Sequence, residues 1–247
     1  MNRTEVISAE IALSRACDIG YIAVIPYSSN ITVVNNRLTP VLSVPTRAST
    51  DAGEAVWEHH QDAELLMIGE TCYPGLPSTS ELEEKRVLQI RPDFPDKKRI
   101  ILDEAEGEKL DNTVLHVRGL ADYLSRQPES RVLAVGLRYH AERVLTHAHA
   151  NGLEDVQYVA AEDVLHATGR LSEYAKRLAE FRRIERSEKG LRLLAKMNPN
   201  GGLFVAAMKK SGPRVVDVVD TESGPKFIST LARKRLAEEQ QKLQLAA

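Results

Sequence analysis

The most chemically suggestive residues of this chain fall in one short stretch, GLRYHAER, which follows the apolar run RVLAVG. His140 and Arg143 are three apart, so on a helix they share a face. An imidazole there could move a proton, and a guanidinium beside it could hold a phosphate or carboxylate through two parallel hydrogen bonds. Arg138 and Tyr139 precede them directly. Comparable polar residues follow each of the other apolar runs. Tyr27, Ser28, Ser29 and Asn30 come after the first, and Gly69, Glu70, Thr71 and Cys72 after the second. The acidic stretch DEAEGEKLDNT, containing Asn112 and Thr113, comes after the third, and AAED after the last. If the runs are parallel strands, all these segments gather at one sheet edge. Hydroxyls, an amide, a carboxylate, a histidine and arginines would then form a polar pocket for an anionic or nucleotide-like small molecule.

The runs support that condition. IGYIAVI (19–25), ELLMIG (64–69), RIIL (99–102), RVLAVG (131–136) and VQYV (156–159) are rich in Val, Ile and Leu without strict alternation. Strands buried on both faces have this pattern. The intervals read as helices. Asp51 is expected to cap a helix ending near His60. Ser78 and Glu81 form a capping box whose helix stops near Arg91, because Pro92 follows. Val114, Val117, Ala121 and Leu124 make one stripe, as do Ala141, Val144, Leu145 and Ala148 ahead of Asn151-Gly152. The fold class is α/β: a doubly wound, parallel, five-stranded, Rossmann-like sheet over residues 15–165. Residues 166–247 are expected to be a C-terminal helical and hairpin extension. It holds a basic helix at 170–197, a hairpin near 203–219 and a polar helix from Pro225.

The bulk properties narrow the function classes. With 43% hydrophobic and 28% charged residues the chain is globular rather than disordered. A net charge of −2 argues against a nucleic-acid partner, and residues 170–197 mix four acids among nine bases. Those bases are the basis of an alternative, a scaffold that binds a partner or nucleic acid. No apolar run approaches the roughly 18 residues of a membrane helix, so the expectation is a cytoplasmic protein without a membrane partner. Cys17 and Cys72 lack ligand spacing and read as reduced thiols. Glu104, Glu106 and Glu108 read as a solvated acidic turn, His147 and His149 as surface residues, and no metal site is expected. GxGxxG, GxxxxGK[ST], HExxH, GxSxG and CxxC are all absent.

VLAVGLRYHAERV resembles the strand-and-helix motif of the YdcF/SanA/ElyC family, in which Tyr-His is followed by Arg three residues after the His. Tyr139, His140 and Arg143 match. LDNTVLHV resembles the family's Ser-x-Asn-Thr-x-Glu-Asn element through Asn112 and Thr113, with Leu115 and His116 departing from it. PSTSELEEKRVL resembles its Ser-Glu-Ala helix start through Ser80 and Glu81. IPYSSN replaces the family's Leu-Gly turn after the first strand. The resemblance implies a Rossmann-like fold. For bacterial members it also implies roles in envelope metabolism or binding of a nucleotide-type ligand such as S-adenosylmethionine. It leaves two readings, an enzyme acting on a phosphorylated, nucleotide or nucleotide-sugar metabolite and a non-catalytic nucleotide-sensing module. In the first, Arg143 and His140 neutralise charge and move a proton; the second would keep much of its affinity without His140. Ser28, Ser29, Gly69, Glu70, Thr71, Asn112, Thr113, Arg138 and Tyr139 line the ligand.

Overall fold

A computed structural model describes residues 5–15, 18–27, 29–34, 37–69, 76–105, 108–109, 113–127, 131–177, 196–197, 219–221 and 224–226. Twelve strands occur among them: β1 (Glu5–Ile7), β2 (Tyr21–Val24), β3 (Ser29–Val34), β4 (Arg37–Leu42), β5 (Glu64–Ile68), β6 (Arg99–Leu102), β7 (Glu104–Ala105), β8 (Glu108–Lys109), β9 (Val132–Gly136), β10 (Val156–Ala160), β11 (Val219–Thr221) and β12 (Gly224–Lys226). The α-helices are α1 (Ala9–Ala12), α2 (Val44–His59), α3 (Thr79–Ile90), α4 (Thr113–Leu124), α5 (Ala141–Ala150) and α6 (Ala161–Ala167).

Six strands form one all-parallel sheet in the order β1-β10-β9-β2-β5-β6. The five expected strands are all in it. The sixth, β1, was not expected: it is three residues long with two of them exposed, so it offers no apolar run to read. Alternation inside each run assigns the two faces. Ile22, Val24, Leu65, Met67, Leu133, Val135 and Val159 pack under α1, α2, α3 and α6. Tyr21, Ala23, Ile25, Leu66, Ile68, Ala134, Val156 and Tyr158 pack under α4 and α5. Helices cover both faces, as in a doubly wound Rossmann-like domain. Gly53 on α2 allows the close approach, since a Cβ there would lie 2.6 Å from Val24 Cγ2.

Three antiparallel hairpins, β3–β4, β7–β8 and β11–β12, stand outside this sheet. The expected hairpin near 203–219 and polar helix from Pro225 lie almost wholly outside the described residues. Of the expected basic helix, 171–177 is 3₁₀ and most of the remainder is likewise outside them. Among the described residues no helix is long and apolar enough to cross a membrane.

The start of α2 departs from expectation. Ser43 is its cap, its Oγ accepting from Thr46 N (3.2 Å), with Pro45 in the first turn. Asp51 sits mid-helix and wholly buried, where it accepts two bonds from Arg86 (2.8 Å each) and one from the Tyr174 hydroxyl (2.6 Å). Glu54, one turn on, pairs with Arg91 (2.9 Å) and Arg170 (3.0 Å). These buried carboxylates need partners, and α3 and the segment after α6 supply them. His60 is also buried, its Nε2 2.8 Å from Ala12 O, whereas His59 is exposed in the last turn of α2.

Candidate functional site

In the sheet order, the chain runs from β2 outward through β5 to β6, then crosses back to place β9 on the other side of β2. The carboxyl ends of β2 and β9 therefore bound the topological switch point. In open α/β sheets neighbouring connections diverge at such a point, which is the usual ligand position. Ile25 N–H donates to Val135 O (2.9 Å), and beyond this last rung the two chains part. Gly136 closes β9 because no side chain fits: a Cβ would be 3.2 Å from Tyr158 Cζ and 3.4 Å from Ile25 Cβ. The Tyr158 hydroxyl reaches over it to donate to Leu137 O (2.8 Å).

Residues 138–140 form a 3₁₀ turn that leads into α5. It buries Tyr139 and His140 at the switch point, where the Tyr27 ring meets both edge-on, with centroids 6.3 and 6.1 Å away. Tyr27 N–H donates to Thr46 Oγ1 (3.1 Å), so the first turn of α2 fixes the segment after β2. His140 Nε2 lies 2.9 Å from Thr113 Oγ1, at the start of α4, and the Arg143 guanidinium donates to the same oxygen. Two groups, one from the 3₁₀ turn and one from α5, thus share the hydroxyl of Thr113 on α4.

The electrostatics follow from the packing. His140 is 1% exposed, and burial is the main reason its pKa lies well below the ordinary 6.5. The Arg143 charge lowers it further, followed by His116 and His147. His140 is thus a neutral imidazole whose Nδ1 is buried without a partner among the described residues. His147 corrects an expectation: it is buried, and only His149 is exposed. The stripe Val144, His147, Ala148 at helical spacing is the signal that could have shown it. His116, buried on α4, went unassigned because it stands where the family motif fails.

Of the expected site residues, Thr113, Tyr139, His140 and Arg143 come together. Arg138 does not join them. Its N–H donates to Glu162 Oε2 (3.0 Å) and its exposed guanidinium pairs with Asp163, at the start of α6. Gly69 lies one strand beyond β2, at the end of β5, where its carbonyl is 3.0 Å from Ser80 Oγ and a Cβ would press on Thr79 at 2.7 Å. Ser29 begins β3, its backbone in register with Leu42. Ser28, Glu70, Thr71 and Asn112 lie outside the described residues, as do Cys17 and Cys72.

A second polar group, unforeseen in the sequence, lies past β5 and β6. Ser80 Oγ touches Ser78 Oγ (2.8 Å), Gly69 O and Asp103. Glu83, one turn along α3, is completely buried, and burial raises its carboxyl well above the usual range against the opposing pull of Ile68 N–H and Thr50. Among the described residues no three His, Cys, Asp or Glu side chains are grouped to hold a metal.

Topology and cluster position together define the class: a doubly wound, Rossmann-like α/β protein with a Thr-His-Arg cluster at its switch point. No protein-family model, curated protein or solved structure matches the chain.

Proposed function

We propose that this chain is a cytoplasmic, YdcF-like protein that binds a phosphorylated or nucleotide-type small molecule at the switch point. The observation that carries the reading is the convergence of His140 and Arg143 on the Thr113 hydroxyl in the first turn of α4. A helix N-terminus presents N–H groups and partial positive charge, and a guanidinium adds a full charge in a planar fork. Both favour an anion, and a phosphate satisfies both best. The resemblance supports the same reading, because Thr113, Tyr139, His140 and Arg143 are positions that match the family motif. It also makes S-adenosylmethionine a ligand to be screened beside nucleotides and nucleotide sugars.

The test is a thermal-shift screen over those compounds and inorganic phosphate, followed by affinities for the best binder. Arg143→Ala should weaken binding by about 1.5–3 kcal/mol, the range for charge-assisted hydrogen bonds, and Arg143→Lys should recover only part. Parent-like binding by both variants would remove the main support for the reading.

A further inference from the structure

We infer that Thr113 is a phosphoryl-accepting hydroxyl with His140 as its base, and that its substrates are activated phosphates: phosphoanhydrides, acyl phosphates or aryl phosphates. This rests on the phosphate-binding reading above. A threonine oxygen has one proton and two lone pairs. Arg143 can only donate, so it takes one lone pair. With the imidazole proton on Nδ1, the Thr113 hydroxyl donates to Nε2 across the 2.9 Å contact. The second lone pair of Oγ1 is then left for an electrophile. An alcohol is a weak nucleophile unless a neighbouring base takes its proton, and the base must be unprotonated at working pH. Burial and the adjacent Arg143 hold His140 in that state. Arg143 also bonds most strongly to Oγ1 when the oxygen becomes negative. Thr113 is 5% exposed, so only the phosphoryl end of a donor need reach it.

The position of the base sets the substrate class. In phosphoryl transfer the attacking and leaving oxygens lie in line on opposite sides of phosphorus. His140 sits on the attacking side and cannot protonate the leaving oxygen. That oxygen must depart as a stable anion, which alkyl phosphates do not provide. In the first half-reaction the Oγ1–P bond forms, the bond to the leaving oxygen breaks, and the threonine proton passes to Nε2. In the second half-reaction water attacks phosphorus, Nε2 returns its proton to Oγ1 as the Oγ1–P bond breaks, and the proton of the water leaves with inorganic phosphate. No carboxylate backs the imidazole among the described residues, so the base is weak and the chemistry suits donors that are already activated.

The experiment incubates the full chain with p-nitrophenyl phosphate or acetyl phosphate, quenches it, and measures intact mass and the labelled peptide. The expected result is one added phosphoryl group on Thr113 as an acid-stable ester, with none from glycerol phosphate. Thr113→Ser should still be labelled. Thr113→Val should not, while its circular dichroism spectrum shows that it still folds. His140→Gln should slow labelling on the order of 10²-fold, and the parent rate should fall in acid as the imidazole protonates. Phosphate binding without labelling by any donor overturns this inference and leaves the ligand reading standing. Absence of both defeats the two together. An acid-labile adduct on His140, equal labelling by glycerol phosphate, or acylation by p-nitrophenyl acetate without phosphorylation each overturns the assignment.

Discussion

Replacing Asp51 with asparagine tests whether the buried ion-pair network ties the segment after α6 to the sheet. The carboxylate is wholly buried and accepts two bonds of 2.8 Å from Arg86 and one of 2.6 Å from Tyr174, with Arg170 at 3.5 Å. Asparagine keeps the shape but loses the charge and turns an NH₂ donor toward donor groups. Breaking one side of a buried pair costs about 3–5 kcal/mol when the remaining charge stays dry. Arg86 and Arg170 are 18% and 22% exposed as side chains, so water relieves part of that cost. Glu54 continues to hold Arg170. The expectation for Asp51→Asn is therefore a loss of about 3 kcal/mol, which lowers Tm by about 6–12 °C in a chain of this size. Calorimetry and urea unfolding measure it. Tyr174→Phe removes a single bond and should cost about 1 kcal/mol. Because both residues share one carboxylate, the double variant should cost less than the sum. An Asp51→Asn loss below about 0.5 kcal/mol, or strict additivity, would refute the network as a stabilising unit.

Three further outcomes follow from buried groups at and beside the site. Gly136→Ala puts a methyl group against Tyr158 and Ile25, so it should destabilise by about 1–3 kcal/mol in urea unfolding, and adding Tyr158→Phe should restore part. Below about pH 6.5 the unfolded chain protonates its histidine while folded His140 does not, so acid favours unfolding; relative to His140→Gln, the parent should lose up to about 1.4 kcal/mol per pH unit, and parallel pH curves would contradict this. Glu83 has the opposite sign, since its folded carboxyl stays protonated while the unfolded one ionises above about pH 4.5. Glu83→Gln should therefore gain on the parent as pH rises from there, and a constant difference in unfolding free energy would count against the assignment.

The inner strands β2, β5, β9 and β10 were legible because burial on both faces leaves runs of Val, Ile and Leu, and β6 was read from RIIL although it lies at the sheet's edge with Ile101 exposed. Switch-point residues were legible because they follow those runs directly, as His140 follows VLAVG. The contacts that depend on distant partners were not legible. Asp51 looked like a helix cap because Arg86, Tyr174 and Arg170, which make it a core residue, lie 35 to 123 positions away. Arg138 adjoins the site in sequence, yet Asp163 draws it to α6. Ser29 and Asn30 were read as part of the rim because they follow the first apolar run, but they open β3, which pairs with β4 outside the main sheet.

Among the described residues β1 is the first strand, and its one partner in the sheet is β10, roughly 150 residues later. During synthesis β2, β5, β6 and β9 all emerge while β1 has nothing to pair with. A strand that must wait this long risks pairing with another molecule. Its make-up suits the delay: it is three residues long, it begins with an exposed Glu5, and Ile7 is its only buried side chain. Among the described strands the edge of the sheet is thus closed by one of three residues, a poor template for aggregation, and its pairing has the longest loop to close in the sheet.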